Sequence, residues 1–515
     1  MRLLSWSFAI TGLLAACGGS DSGGGGVDQC DNPMIVPVPA ACNTACDPAP
    51  GAVSTCPGGF HCSEDGTCDA VCTPAGGECG DGNRCTPDGR CVGNDECIGL
   101  ECNVTKCEDM GMPPTTIEGT VFAPNGTLPL FNINVYIPNE MIGPPSDSIV
   151  CDKCGDSLPG YPLALQTTDA AGHFSLTGVP SGMNVPLIIQ SGKWRRQITI
   201  PNVPACGTTT LTAADTSLPK NKTQGYMPHI ALTTGNADSL ECLVRKLGID
   251  DSEITTNAGT GRVNFYHGNG VSKFAAGFAG GTGNLPDATA FWSSVDNLKK
   301  YDIVFLSCEG GQNPDTKPQA ALDAMKAYAD AGGRVFASHW HNIWVEGATD
   351  AGNDGQKTTW STIGTWNNGS TTFSTPADQI DEVNNPKGAN FATWMVNVMG
   401  SPMRDVIPIQ SGTGKNTITS VDHTKAEEWV YWNPPPNTGN PPLPARVPQT
   451  FQFTTPQDTA ERCGKVVFTD MHVSGTSNGG DYPNSCGTGT TLTPQEKALA
   501  FMFFDIASCV AAPIF

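Results

Sequence analysis

Thirteen of the chain's 22 cysteines lie between Cys30 and Cys107. Few large apolar residues accompany them, so cross-links must take the place of a hydrophobic core in this stretch. One unit occurs twice. Cys56, Cys62 and Cys68 recur as Cys79, Cys85 and Cys91, with five residues between neighbouring cysteines each time, in CPGGFHCSEDGTC against CGDGNRCTPDGRC. Zinc ribbons are the competing use of such cysteines. CxxC pairs are absent here, however, and the cysteine density itself points to an oxidising compartment. Residues 30–110 are therefore expected to form a disulfide-rich, protease-resistant stalk similar to EGF-like or knottin-like modules.

The N-terminus agrees with export. Met1-Arg2 is a short basic start, and Leu3–Leu14 is an apolar run too short to span a bilayer as a mature helix. It ends in Leu14-Ala15-Ala16-Cys17, which resembles the bacterial lipobox. The resemblance implies a signal peptide over 1–17, a lipid on the Cys17 sulfur and a bilayer as partner. It also implies the outer membrane or cell surface of a Gram-negative bacterium, because no aspartate follows the cysteine. Residues 18–29 are a Gly-rich tether. Leaving out Cys17, 21 cysteines remain, an odd number, so at least one is unpaired; Cys308 is the candidate. The net charge of −22 argues against nucleic acid as a partner, since that needs basic patches.

Residues 113–218 alternate apolar and polar positions in short runs separated by turns, the pattern of an all-β sandwich. The text GTVFAPNGTLPLFNINVYIP and TTDAAGHFSLTGVPSG resembles the carboxypeptidase regulatory-like, transthyretin-type domain. An insert carries Cys151 and Cys154, read as structural rather than redox cysteines. Lys193, Arg195 and Arg196 form a basic cluster, either a solvated strand face or a docking patch for the next domain.

From residue 224 to 515 the pattern changes to alternating strands and helices. HIALTT, YDIVFLSC, RVFAS and KVVFTD read as buried parallel strands, and Lys317–Ala331 as an amphipathic helix. Thr493-Pro494-Gln495-Glu496 is a capping box that opens a last apolar helix. A largely parallel, doubly wound flavodoxin-like sheet is the expected fold. Residues 346–455 read as a long insertion that roofs the strand ends.

Three pieces carry a further resemblance: YDIVFLSCEGG, AYADAGGRVFASHW and GKVVFTDMHVS. In this order they resemble the class I glutamine amidotransferase-like superfamily and its trehalose-utilisation-like branch. The resemblance implies an oxyanion turn at Gly310-Gly311, a nucleophile elbow at Ser338-His339 and a histidine at His472. The cysteine of the family's elbow is missing, which argues against glutaminase activity. Ser338 with His472 as base, or Cys308 as a thiol, are the remaining nucleophile candidates. His339, His341, Asp470 and His472 offer nitrogen and oxygen ligands for a divalent metal. Trp340, Trp344, Trp360 and Trp366 follow the elbow and could stack on a sugar. Two functions are thus expected: a surface lipoprotein that binds carbohydrate or another small molecule through a domain without its usual nucleophile, or an extracytoplasmic hydrolase or sugar-modifying enzyme using His339, His341 and His472.

Overall fold

A computed structural model describes residues 30, 40–49, 52, 55–56, 59–73, 78–86, 88–154, 158–349, 355–367, 377–440, 442–457, 460–473, 480–487 and 489–510. The lipobox with Cys17 and the whole tether lie outside the described residues. The chain divides into two units, 1–97 and 98–515.

In the first unit disulfides replace a core. Cys46–Cys62 and Cys56–Cys68 in one repeat match Cys72–Cys85 and Cys79–Cys91 in the next, and Cys30–Cys42 precedes them. Each repeat folds its last two cysteines into a small antiparallel hairpin, His61–Cys62 on Cys68–Asp69 and Asn83–Cys85 on Cys91–Gly93. The sequence repeat is therefore a repeat of connectivity.

The second unit begins with a seven-stranded sandwich. Its strands are β1 (Thr116–Thr120), β2 (Asn134–Pro138), β3 (Pro162–Thr167), β4 (His173–Thr177), β5 (Gly182–Ser191), β6 (Trp194–Val203) and β7 (Thr208–Thr210). One sheet has the order β6-β5-β2-β3 and the other β7-β1-β4. Alternate residues Ile117, Val135, Ile137, Phe174, Leu176, Val185, Leu187 and Ile189 are buried between them, as period-two strands require. Cys107 is bonded to Cys206 of this domain, so the last cysteine of the dense stretch holds the sandwich rather than the repeats.

A ten-stranded sheet follows. Its parallel strands are β8 (Ile230–Thr234), β9 (Ile254–Thr255), β10 (Val263–His267), β11 (Ile303–Leu306), β12 (Arg334–Ser338) and, late in the chain, β17 (Gly464–Thr469). Between the last two the chain adds β13 (Ala377–Ile380), β14 (Val406–Pro408), β15 (Glu427–Trp432) and β16 (Val447–Thr455), all antiparallel to their neighbours. The order is β9-β10-β8-β11-β12-β17-β16-β15-β13-β14. The expected roof is thus corrected: residues 346–455 extend the sheet edgewise by four strands. The physical reason is that both faces of this half are covered, so that Gln449, Thr450 and Gln452 of β16 are buried and its polar residues do not mark a loop.

Helices α1 (Leu240–Lys246), α2 (Gln319–Asp330), α3 (Gly388–Asn397) and α4 (Pro494–Ile506) cover the sheet. The capping box of α4 forms as expected, with Thr493 accepting from the Glu496 N–H. Its central run, Ala498–Phe504, is apolar all round, the mark of a segment covered on every side. Phe503 stacks on Phe305 of β11 at 4.7 Å between ring centroids, Phe501 on Phe131 of the sandwich at 5.8 Å, and Phe504 lies 6.1 Å from Trp194. Each such ring contributes on the order of 2 kcal/mol by burial, and together they weld the sandwich to the sheet. At the same interface Lys193 meets Asp302 at 2.6 Å, while Gly192 lies so close to the Ala507 carbonyl that no Cβ fits. Cys151 and Cys154 do not pair with each other; they reach across to Cys463 and Cys509.

Candidate functional site

The parallel half of the sheet reverses its direction of growth between β8 and β11. In open α/β sheets ligands sit beyond the carboxyl ends at such a point. Ser307-Cys308-Glu309-Gly310 leaves β11 there, and Ser338-His339 leaves β12 on the neighbouring strand. His339 has φ of 43°, a left-handed conformation that a β-carbon disfavours. This turn ends the strand sharply and directs the imidazole back over the sheet edge. Its Nδ1 comes within 3.4 Å of the Cys308 Sγ. His472, three residues beyond Thr469 of β17 on the other side of β12, brings its ring to 5.0 Å from that of His339. Sγ of Cys308 and one nitrogen from each imidazole all lie within 4.8 Å of one another.

All three groups are buried, at 0, 2 and 2% exposure. Burial disfavours charge, so the thiol is pushed up to about 12, His339 is held well below its usual value, and His472 falls to about 3, with Lys415 adding to both imidazole shifts. The backbone N–H groups of Trp340 and Gly310 are directed at the sulfur. Cys308 is the unpaired cysteine among the described residues. Next to it, Glu309 lines a cavity of about 340 Å³ shared with His267, Asn269, Asp287, Trp292 and Asn313.

Other expected site residues are placed elsewhere. His341 is not in the cluster. The chain leaves β12 in a 3-10 turn, His339–Asn342, so the two histidines do not continue the strand's alternation. Trp344 donates its indole N–H to His341 Nδ1 at 2.9 Å, which puts the imidazole proton on Nε2, and Nε2 donates to the Ser307 carbonyl at 2.9 Å. Both nitrogens are engaged, and neither can ligate a metal. Asp470 is not in the cluster either: one oxygen accepts from the Thr417 N–H and the other from the Thr417 hydroxyl, each at 2.7 Å. The Ser338 hydroxyl donates to Asp238 at 2.8 Å rather than to a histidine, so it is not poised as a nucleophile.

The tryptophan expectation is also corrected. Trp344 and Trp360 are core residues at 1 and 2% exposure, packed on Trp292 and Phe453. Trp366 packs on Phe468 and gives its N–H to the Ser361 carbonyl. Only Trp340 is both half-exposed and beside the centre, its ring 4.9 Å from that of His339.

Two supporting residues escape a sequence reading. Asp238, just after β8, accepts from Ser338 with one oxygen and from the Val473 N–H with the other. It ties together the strand ends that bear His339 and His472. Gln495, at the start of α4, donates to the His472 carbonyl at 2.6 Å and to Thr413 at 2.8 Å. Both contacts join residues more than twenty positions apart, and no local motif announces them.

No protein-family model matches the chain, and no curated protein does. Solved structures similar to it include a ThuA-like protein from Bacteroides uniformis, 12% identical, with a TM-score of 0.28, covering 53% of this chain and 89% of that one. A cytoplasmic protein from Salmonella typhimurium is 13% identical, with a TM-score of 0.28, covering 54% and 99%. A mutant type II cohesin–X-dockerin complex from Acetivibrio cellulolyticus is 16% identical, with a TM-score of 0.13; the match covers 20% of this chain and spans 56% of that one.

Proposed function

We propose that this chain is a lipid-anchored extracytoplasmic hydrolase working from Cys308, His339 and His472, with the disulfide stalk and sandwich serving as spacer and support. The anchor rests on Leu14-Ala15-Ala16-Cys17. One observation carries the enzymatic reading. A left-handed residue at a strand end, His339, is held against a buried thiol and a second imidazole. Backbone strain of this kind gathers at functional sites. The substrate is expected to be small and polar, entering from the cavity at Glu309 and Asn313.

A second reading, a non-catalytic binding lipoprotein, is favoured by the state of Cys308. A thiol pushed up to about 12 stays protonated and is a poor nucleophile. The deciding experiment assays the purified mature chain on a panel of ester, amide and glycoside substrates, beside His472→Ala. Hydrolysis by the parent, reduced by about 100-fold or more in the variant, supports the enzyme. A folded parent inert to every member of the panel hands the chain to the binding reading.

A further inference from the structure

We infer that Cys308, His339 and His472 hold a divalent metal ion of the zinc class, bound by one sulfur and two nitrogens, with a fourth position left to water or substrate. The inference builds on the reading of these residues as one centre and adds what that centre binds.

Geometry is the first support. Ligand atoms around tetrahedral zinc sit about 2.0–2.3 Å from the ion, hence roughly 3.3–3.8 Å from one another. The three atoms here already lie within 4.8 Å of each other, on two neighbouring loops and the end of a third strand. Side-chain rotations that move the ligand atoms by about 1 Å close the set.

The second support is independent of spacing. His472 is 2% exposed, yet its Nε2 has no hydrogen-bond partner. Buried polar atoms are almost always partnered, and an orphaned imidazole nitrogen beside a thiol is what a missing ligand would explain.

The donor set follows by elimination. Two other cysteine groups are equally close, Cys46, Cys56 and Cys68, and Cys72, Cys79 and Cys85, but all six sulfurs are in disulfides. His341 is excluded by hydrogen bonds at both ring nitrogens, and Asp470 is not among the residues whose ligand atoms converge. Three protein ligands remain. Structural zinc sites close with four, whereas catalytic ones use three and keep a position open.

The surroundings match an outer shell of ligand supports. The Trp340 and Gly310 N–H groups face the sulfur, Gln495 holds the backbone of His472, and Asp238 fixes the ends of both histidine-bearing strands. On binding, the metal takes the sulfur's electron pair and the thiol proton leaves to solvent, while the imidazoles enter neutral, as ligands must. With the sulfur occupied as a ligand, water at the open position would supply the nucleophile.

The test uses the full mature chain, stripped with chelator and kept without reductant, and titrated with cobalt(II) and then zinc(II). We expect one cobalt per chain, a near-ultraviolet thiolate-to-cobalt charge-transfer band, and loss of that band as zinc displaces cobalt. Cys308→Ser should remove the band, and His472→Gln should weaken binding at least tenfold. His173→Gln, an exposed histidine of the sandwich, should change neither. No stoichiometric uptake by the parent chain, or a band that persists in Cys308→Ser, overturns the inference. The parent alone must show the sulfur band, so a misfolded variant cannot rescue it. Hydrolysis is read separately. A metal-loaded chain inert on the panel leaves this site standing and sinks the hydrolase; hydrolysis undiminished in the metal-free chain does the reverse.

Discussion

The Sγ of Cys308 lies 3.4 Å from Nδ1 of His339, although the two residues leave different strands and are 31 positions apart. The left-handed backbone at His339 makes this contact, and a β-carbon in that conformation costs about 1–2 kcal/mol. His339→Gly should therefore be more stable than His339→Ala by roughly 1 kcal/mol, even though both lose the ring. Urea unfolding midpoints check this. Equal stability would mean that the turn is not strained.

Asp238 joins the two strand ends. Asp238→Ala leaves the Ser338 hydroxyl and the Val473 N–H without their acceptor in a buried place. A loss of about 2–4 kcal/mol is expected, clearly more than for Ser338→Ala, which removes one of the donors as well. If the two variants unfold at the same denaturant concentration, Asp238 is not the tie described.

Thiol chemistry offers a direct readout. Unfolded but unreduced protein, treated with an alkylating agent, should carry the label at Cys308, with the disulfide cysteines protected. Native protein should label slowly at the same residue, because it is fully buried. Peptide mapping by mass spectrometry decides. Labels on Cys151, Cys154, Cys463 or Cys509 before reduction would contradict the interdomain bridges.

Glu241 gives a pH signature. Both its oxygens are buried without hydrogen-bond partners, and burial, with Asp238 nearby, raises it to about 8. The unfolded chain releases this proton near the ordinary value of about 4.3. Between these two values the native state binds more protons, so its stability falls as pH rises. Glu241's protonated contribution is complete below the unfolded value and is lost as pH passes about 8. Stability measured from pH 5 to 9 should fall less steeply in Glu241→Gln, and parallel curves would refute the assignment.

The anchor is tested by Cys17→Ala. The variant should lose the lipid, read from the mass of the N-terminal peptide, and move from the detergent phase to the aqueous phase. Unchanged partitioning would remove the lipobox from the account.

Much of the sheet was legible because its strands are continuous apolar runs. HIALTT, YDIVFLSC, RVFAS and KVVFTD all became neighbouring parallel strands. The antiparallel half was not, since β15 and β16 bury Glu428, Gln449 and Gln452 among their apolar residues, and a buried glutamine looks like a surface one in sequence. At the site, the pairing of His339 with His472 followed from reading two strand ends on one edge. His341 did not follow, because strand alternation stops at Ser338 and a 3-10 turn takes over. Cys308 was visible through its strand-end position and through parity, on the expectation that Cys17 carries a lipid and leaves an odd number behind.

The bridges Cys151–Cys463 and Cys154–Cys509 span 312 and 355 residues. A chain that crosses a membrane N-terminus first presents Cys151 and Cys154 while their partners are still on the other side. During that interval the sulfurs available to them are each other, those of the stalk, and then Cys206, Cys242 and Cys308, none of them the native partner. Maturation thus depends on delay or on repair. Either the pair is kept reduced until the C-terminal helix arrives, or a thiol–disulfide exchange catalyst reopens an early mispairing. On the proposed export route, the sandwich cannot be sealed to the sheet until Cys509 has been delivered.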